Sequence, residues 1–479
     1  MAFEIKMPQL GQTSDEVRLI KWLVKEGDEV KKGQPLCEVE TDKVTMELES
    51  VAEGKVEKIL FGPDSEIKTG QTVAIIEEIS KAGSGKESIS VGLQKEKVSS
   101  KSEGLKGYEN LSVMELLDKK SLEKSTGSLP VEQKKFYTAK KLKSIDIGEK
   151  RKIIEGIGTV KAQEMYRKML EIREFEEAIR LLFLEGKMPG TIHQYIGMEA
   201  CAVGVCSCLE NNDVIASTHR PHGHAIARGI PLNNIMAELY GKVTGCCRGK
   251  GGSMHIGDLD KGMLPAIAIV GANIPIVGGM ALAFKLKKES RVAVSFFGDG
   301  ASNEGAFHEG LNMAAVYNIP AVFVCENNLY AASTPIKQTS NLENISNRVC
   351  AYGMRGDIAD GMDVLDVYKK AKEAVDLARE RHLPTLLELK TFRLCGHSRR
   401  DPCNYMTKEE RAYWQSRDPI TLYEKFILDE GIISETSVNK IKQEIKNKIE
   451  SAVSFAQTSP YPAPEDTYND LYINIEVPR

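Results

Sequence analysis

The first 80 residues of the chain contain an internal repeat. Residues 19–40 align without gaps on residues 56–77, and seven of the 22 aligned positions are identical, including a Lys-x-Gly-Gln core. In both copies, short runs of alternating apolar and polar residues are interrupted by glycine, which is typical of strands rather than helices. Two similar β halves predict a small two-fold β-sandwich over residues 1–80.

Lys43 lies where one half of this repeat passes into the other, within the sequence Glu-Thr-Asp-Lys-Val (residues 40–44). A lysine on a hairpin tip stands clear of its domain, and Asp42 before it can fix the turn through side-chain to backbone hydrogen bonds. The repeat and this motif together resemble a lipoyl domain. The resemblance implies lipoate attached covalently to Lys43, whereas biotin carriers have methionine on both sides of the lysine. A plain solvated lysine on a β domain is the alternative.

Residues 81–158 are predicted to form a flexible linker with possible short helices. Seventeen of the 30 residues 81–110 are Lys, Ser or Gly. Such a segment buries too little apolar area to offset the entropy lost on ordering. The linker therefore divides the lipoyl-type domain from a second domain over residues 159–479.

The second domain has an α/β pattern. Segments 291–297, 321–325 and 386–391 are predicted strands, and 304–317 is a predicted helix between the first two. Strand, helix and strand at this spacing predict a doubly wound parallel sheet. Residues 405–479 are predicted to be its helical C-terminal part.

Composition excludes several classes of function. Charges of both signs are well mixed and the net charge is −4, so no nucleic-acid surface is expected. The uncharged run 266–284 is long enough to cross a bilayer, but it contains Asn273 and Pro275, and we interpret it as a buried strand, loop and helix. Without a signal peptide pattern or a paired Cys-x-x-Cys, a cytoplasmic protein with reduced thiols and no membrane contact is predicted.

Two short motifs at the ends of adjacent predicted strands point to a phosphate and metal site. Gly298-Asp299-Gly300 follows one strand, and Asn327-Asn328 follows the next. Glycine lets the backbone approach a phosphate closely, and ligands bind beyond the carboxyl ends of strands in open α/β sheets. Mg²⁺ takes oxygen ligands, usually one or two carboxylates together with ligand phosphate. Asp299 and Asn328 are therefore candidate ligands of a Mg²⁺–diphosphate group.

The 31 residues from Gly298 to Asn328 also match the thiamine diphosphate signature. Residues 159–420 resemble the alpha subunit of heterotetrameric 2-oxo acid and acetoin dehydrogenases. The resemblance rests on the segments IGMEACAVGV, STHRPHGHAIARG, MAELYGKVTG, GKGGSMH, VGANIP, GDGASNEG, CENNLYAASTP and GHSRRDP. It departs from the family pattern at His219, where pyruvate-type members often have Tyr, and at Ala331-Ala332, where a Gly and a bulky residue are usual.

The resemblance implies a role for each matched residue. The implied Mg²⁺ ligands are Asp299, Asn328 and the main-chain oxygen of Tyr330. The implied contacts to thiamine diphosphate are His219, Arg220, Val270, Asp299, Gly300, Ala301, Asn328, Tyr330 and His397. The implied catalytic proton donors and acceptors are His193, His222 and His397.

The implied activity is that of the alpha subunit of an acetoin- or pyruvate-type dehydrogenase component. Such an enzyme cleaves acetoin or decarboxylates pyruvate and transfers the acetyl unit to a lipoyl group. The implied partners are a beta subunit in an α2β2 heterotetramer, and separate acyltransferase and dihydrolipoamide dehydrogenase components, since the chain has no His-x-x-x-Asp-Gly acyltransferase motif. Two alternatives stay open: the alpha subunit of a branched-chain 2-oxo acid dehydrogenase, and a non-catalytic lipoyl carrier or scaffold.

Overall fold

The computed structural model describes residues 2–7, 16–40, 45–68, 70–77, 145–399 and 401–469. Lys43 and most of the predicted linker lie outside these residues. Within the described ranges, no helix is both long enough and apolar enough to cross a bilayer.

The N-terminal domain consists of two four-stranded sheets of antiparallel pairs. Their strand orders are β1-β8-β6-β3 and β5-β4-β2-β7. The strands are β1 Ala2–Lys6, β2 Glu16–Trp22, β3 Glu29–Val30, β4 Pro35–Glu40, β5 Thr45–Glu49, β6 Gly54–Ile59, β7 Glu66–Lys68 and β8 Thr72–Glu77. Side chains such as Leu19, Leu36 and Ile67 are buried between the sheets. The predicted sandwich is confirmed.

The repeat seen in the sequence is a two-fold symmetry of this sandwich. Strands β2 to β4 correspond to β6 to β8, and each sheet takes strands from both halves. The turn glycines match as well: Gly33 has φ 83° and donates its N–H to Ser50 O at 2.7 Å, while Gly70 has φ 85° and donates to Met7 O at 2.7 Å. A positive φ favours glycine, which explains why both copies keep it.

Strands β4 and β5 form the hairpin that leads to Lys43. Glu40 pairs with Thr45 in an antiparallel register, so residues 41–44 connect the two strands. The predicted position of Lys43 on the hairpin tip lies outside the described residues.

The second domain contains a five-stranded parallel sheet with the order β14-β15-β11-β10-β9. Its strands are β9 Val214–Ala216, β10 Ala293–Gly298, β11 Ala321–Asn327, β14 Arg355–Asp360 and β15 Thr385–Lys390, and a small hairpin adds β12 Tyr330–Ala331 and β13 Thr334–Pro335. The predicted strands correspond to β10, β11 and β15. Sequence reasoning missed β9 and β14, which are short or interrupted by charged residues.

Helices cover both faces of the sheet. They are α1 Ile147–Leu184, α2 Glu199–Cys206, α3 His222–Ala227, α4 Leu232–Leu239, α5 Asn273–Lys287, α6 Gly305–Tyr317, α7 Val364–Arg381, α8 Lys408–Gln415, α9 Pro419–Asp429 and α10 Glu435–Thr458. Val294 and Phe296 of β10 pack into one core with α1, α2 and α7, whereas Ala293 and Phe297 pack into another core with α5 and α6. Alternate strand residues face opposite layers, as the predicted doubly wound α/β fold requires.

Helix α1 and the run 266–284 differ from the simplest form of the predictions. Helix α1 begins at Ile147, inside the predicted linker, because Asp146 caps it by accepting the N–H of Glu149 at 2.8 Å. The helix is kinked at Gly158, where φ is 80°, and the part before the kink is one of the short helices that the linker prediction allowed. In the run 266–284, the predicted strand is absent from the structure: an irregular segment leads directly into α5, which begins at Asn273.

Candidate active site

The two motifs singled out in the sequence meet at one end of the sheet. Strands β10 and β11 are parallel neighbours with Gly298 opposite Glu326, so Asp299 and Asn328 follow from adjacent strand ends. Both residues line one cavity of about 360 Å³. The cavity thus lies at the carboxyl ends of the parallel strands, where ligands bind in open α/β sheets.

Most of the predicted cofactor contacts line the same cavity. They are His219, Arg220, Val270, Asp299, Gly300, Ala301, Asn328, Tyr330 and His397. His193 lies immediately behind this lining, and His222 lies deeper. Lys43 is outside the described residues.

Asp299 presents a buried carboxylate to the cavity. Its side chain is 2% exposed, and Oδ2 has no hydrogen-bond partner among the described residues. Burial raises the pKa of Asp299 to about 6. The main-chain oxygen is held by the Ser302 hydroxyl at 2.7 Å, within the single 3₁₀ turn that follows β10. A buried carboxylate oxygen without a partner is costly, and a divalent cation would satisfy it.

The two asparagines after β11 have different surroundings. Asn327 donates its side-chain N–H to Glu388 Oε1 at 2.7 Å and accepts the Thr391 N–H at 3.0 Å, so it ties β11 to the end of β15. Asn328 lines the cavity, and within the described part of the chain its Oδ1 accepts one hydrogen bond, from the Tyr330 N–H at 3.3 Å. A carbonyl oxygen has two lone pairs, so Oδ1 retains capacity for a further ligand.

The turn after Asn328 is strained. Leu329 and Ala332 have φ values of 72° and 52°, which side-chain-bearing residues rarely adopt. Such strain is often found at ligand sites. The turn presses Ala331 against Gly300, where an added Cβ would lie 2.8 Å from the Cβ of Ala331. Gly300 is therefore required for this close approach.

Two buried arginines bring positive charge to the cavity. Arg220 donates to the carbonyl oxygens of Gln194 and, at 3.0 Å, His397. Arg393 donates to Ala332 O at 3.0 Å and to the Tyr405 hydroxyl at 2.8 Å. Burial and the nearby Arg393 guanidinium lower the pKa of Arg220 to about 10, so it is still cationic at neutral pH.

Arg393 was not among the predicted residues. The only signal for it in the sequence is its position just after β15, a third neighbouring strand end. With hydrogen bonds to neutral oxygens, both guanidinium groups keep their charge available for an anion such as a diphosphate.

Three histidines form a cluster at the cavity wall. The ring of His193 lies 4.8 Å from that of His219 and 5.0 Å from that of His397, between centroids. One ring nitrogen of each is buried and has no hydrogen-bond partner in the part of the chain that the structure describes. Burial, with the charge of Arg220 second, lowers the pKa values to about 3 for His193, about 2 for His219 and about 4 for His397. All three rings are neutral at pH 7 and can either donate or accept a proton.

His222 does not line the cavity. It is fully buried, with Nδ1 2.9 Å from Glu176 Oε1 and Nε2 3.0 Å from Ser253 Oγ. Both ring nitrogens thus have protein partners. His224 is held in the same way between Ser217 Oγ, at 2.8 Å, and other buried groups.

Ser253 belongs to a loop that sequence reasoning recognised only as part of the GKGGSMH motif. The carboxylate of Glu238 accepts the main-chain N–H groups of Cys247, Gly249, Gly251 and Gly252 at 2.8–3.0 Å. A buried carboxylate with four such donors fixes the loop and, through Ser253, supports the ring of His222. Glu238 lies in the MAELYGKVTG segment of the resemblance, but no role was predicted for it.

Taken together, the cavity has a carboxylate and an amide oxygen on one side and two guanidinium groups nearby. This set fits a divalent cation bound to an anionic phosphate group.

Comparisons with known proteins agree with this geometry. Residues 167–465 match the dehydrogenase E1 component family, and residues 3–76 match the biotin-requiring enzyme family of biotin and lipoyl domains. The alpha subunit of acetoin:2,6-dichlorophenolindophenol oxidoreductase from Bacillus subtilis is 49% identical over 320 residues, which cover 66% of this chain and 95% of that protein. The corresponding subunit from Cupriavidus necator is 42% identical, over 65% of this chain and 93% of its own length.

A chloroplastic alpha subunit of the pyruvate dehydrogenase E1 component, from Oryza sativa subsp. japonica, is 41% identical over 63% of this chain and 73% of its own length. These matches confirm the predicted oxidoreductase class, the alpha-subunit type and the N-terminal lipoyl-type domain. The chain therefore belongs to the dehydrogenase E1 component family of thiamine diphosphate-dependent enzymes, as an alpha-type chain that carries its own biotin/lipoyl-type domain.

Proposed function

We propose that the chain is the alpha subunit of an acetoin-cleaving dehydrogenase component that transfers the acetyl unit to lipoate on Lys43. The observation that carries the proposal is the cavity at the ends of β10 and β11. There Asp299 and Asn328 face the same space as Arg220 and Arg393.

Asp299 Oδ2, Asn328 Oδ1 and the main-chain oxygen of Tyr330 are the proposed ligands of Mg²⁺. Two observations support this set: Asp299 Oδ2 has no partner among the described residues, and Asn328 Oδ1 accepts one hydrogen bond and can accept another. Arg220 and Arg393 would neutralise the diphosphate, and Gly300 and Ala301 would let the backbone approach it. Val270 would contact the body of the cofactor.

Thiamine diphosphate, when bound, supplies the electron sink for breaking a bond next to a carbonyl. The chain's own part is to position the substrate and move protons. His193, His219 and His397 are neutral imidazoles with a free nitrogen each, which suits general acid–base catalysis. His222 would be a positioning residue behind the cavity wall, because Glu176 and Ser253 already engage both of its ring nitrogens.

The presence of His219 favours acetoin over pyruvate. Cleaving acetoin releases acetaldehyde, so a base must take the proton of the substrate hydroxyl. Loss of CO₂ from pyruvate has no such hydroxyl proton to remove. An additional neutral imidazole on the cavity wall meets that demand. The Bacillus subtilis acetoin oxidoreductase subunit, at 49% identity, is also more similar to this chain than the Oryza sativa pyruvate dehydrogenase subunit, at 41%. A branched-chain 2-oxo acid substrate and a non-catalytic carrier are the alternatives.

A beta subunit would complete the site. Ile269 and Val270 line the cavity, yet they are 74% and 50% exposed. Two large apolar side chains exposed at a cavity mouth are typical of a surface that another chain covers. We expect the second chain to contact this rim, and separate acyltransferase and dihydrolipoamide dehydrogenase components to complete the reaction cycle.

The test is turnover of the chain reconstituted with its beta partner, thiamine diphosphate and Mg²⁺. The substrates are acetoin, pyruvate and 2-oxoisovalerate, with an electron-accepting dye in place of the lipoyl acceptor. We expect acetoin to be preferred and His219→Tyr to lower acetoin turnover at least tenfold more than pyruvate turnover.

His382→Asn is the matched control, because His382 lies at the end of α7 with φ 51°, a conformation that Asn tolerates. A preference for pyruvate or 2-oxoisovalerate, or equal effects of His219→Tyr on all substrates, would reject acetoin as the substrate. An absence of turnover with every substrate would favour the carrier.

A further inference from the structure

An ionic contact joins the lipoyl-type domain to the catalytic domain. The carboxylate of Glu49, the last residue of β5, pairs with Arg180 of α1 and lies 3.2 Å from Nη2 of Arg399. The three side chains are only 17%, 22% and 15% exposed. One acidic side chain is thus enclosed between two basic ones that belong to the other domain.

The backbone next to this ion pair fits closely. A Cβ added to Gly33 would lie 2.5 Å from Nη2 of Arg180, so the guanidinium rests directly on the glycine turn. In the same turn, the Gly33 N–H donates to the main-chain oxygen of Ser50, and Ser50 is the residue after Glu49. Glu49 and the Gly33 turn therefore form one continuous contact surface.

The two-fold symmetry of the sandwich provides an internal comparison. The symmetry equivalent of the Gly33–Ser50 bond is the Gly70–Met7 bond, so Lys6 is the equivalent of Glu49. Among the described residues, no atom beyond its two chain neighbours lies within 4 Å of a Cβ added to Gly70. Because Lys6 takes the place of Glu49, the equivalent face carries a positive charge, which two arginines would repel. The contact is selective for one of two similar faces.

On the catalytic side, both arginines belong to elements that hold the active-site histidines. Arg399 follows His397 by two residues and donates its main-chain N–H to Ile192 O at 3.0 Å. Arg180 lies one helical turn after Glu176, the carboxylate partner of the buried histidine in α3. The contact surface is therefore directly connected to the cavity wall.

The geometry points to a docking site for the chain's own lipoyl-type domain, formed by Arg180 and Arg399 beside the active-site cavity and recognised through Glu49. The site favours an acidic strand end next to a glycine turn. The contact itself does not depend on the proposed function.

The test uses the full-length chain, ¹⁵N-labelled and assembled with its beta partner. A docked domain tumbles with the whole assembly, so the amide signals of residues 16–40 are broad; a released domain gives sharp signals. Glu49→Gln is expected to lower the ratio of docked to released domain about tenfold, which is ~1.4 kcal/mol. Arg180→Gln is expected to do the same, and the double variant to show little additional effect. Lys6→Gln is the matched control.

Raising NaCl should release the wild-type domain and change Glu49→Gln much less, because screening weakens an ion pair that the variant lacks. Dye-linked turnover, which needs no lipoyl domain, should be equal in wild type and Glu49→Gln. Unchanged linewidths in Glu49→Gln, or equal sharpening in Lys6→Gln, would overturn the docking site even if the dye assay shows full turnover. Release of the domain in Glu49→Gln, with no dye-linked turnover in any form, would support the docking site and reject the proposed function.

Discussion

Replacing Asp299 with Asn should stabilise the chain while abolishing its cofactor binding. Burial raises the pKa of Asp299 from 3.8 to about 6, so in the metal-free protein the folded state holds this proton more tightly than the unfolded state does. The ionised carboxylate therefore destabilises the fold. This cost is absent below pH 4, grows between pH 4 and 6, and is constant above pH 6. A rise of about two pKa units corresponds to ~3 kcal/mol.

Calorimetric unfolding of the catalytic domain measures this effect. At pH 8 without ligand, Asp299→Asn should raise the unfolding temperature by roughly 5 °C, since ~1 kcal/mol shifts a large domain by about 2 °C. At pH 4 the two proteins should unfold together. With Mg²⁺ and thiamine diphosphate at about 100 times Kd, the wild type should gain ~2.7 kcal/mol and the variant nothing.

Asp366 provides the matched control. Burial also raises its pKa to about 6, but it lies in the first turn of α7 and does not line the cavity. Asp366→Asn should stabilise the protein at pH 8 and leave cofactor binding intact. For Asp299→Asn, an absence of stabilisation at pH 8, or equal stabilisation at pH 4, would show that the ionised carboxylate does not destabilise the fold. Unchanged binding of Mg²⁺ and cofactor would show that Asp299 is not a metal ligand.

Three further substitutions have expected outcomes. Gly300→Ala should weaken thiamine diphosphate binding at least tenfold in titration calorimetry, because its Cβ would lie 2.8 Å from that of Ala331. Gly279→Ala is the control and should bind normally, because an added Cβ there has no described atom within 4 Å. Glu238→Ala should destabilise the catalytic domain by about 3 kcal/mol or more, since four main-chain N–H groups lose their acceptor, and equal unfolding curves for variant and wild type would contradict this. Lys43→Arg should remove the mass of the lipoyl group from the intact chain without altering dye-linked turnover, and a retained lipoyl mass would show that another residue is modified.

The sequence predicted the elements that are determined by a local pattern of apolar, polar and glycine residues. Strand β10 and helix α6 were predicted because the strand is apolar and the glycine motif separates it from a periodic helix. Asp299 and Asn328 were predicted because polar residues follow two adjacent strands. The start of α1 was missed because its first turns carry many charges, and its Asp146 cap is a single residue in a polar stretch.

Residues that act through distant partners were beyond sequence reasoning. Arg393 reaches the cavity from β15, and Glu238 holds its loop through main-chain groups that any sequence could supply. The burial of His222, which separates it from the cavity, depends on Glu176, 46 residues earlier in the chain. Only the packed structure brings such pairs together.

The interleaved strands of the N-terminal sandwich have a consequence for its origin. Each sheet draws strands from both copies of the repeat, so one copy alone would leave sheet edges unpaired and apolar side chains in water. Two separate copies could meet these demands only by intertwining as a strand-swapped homodimer, whose folding would depend on concentration. Tandem duplication within one gene would have made that assembly unimolecular, and a chain cut between the copies should regain its shape only when both pieces are mixed.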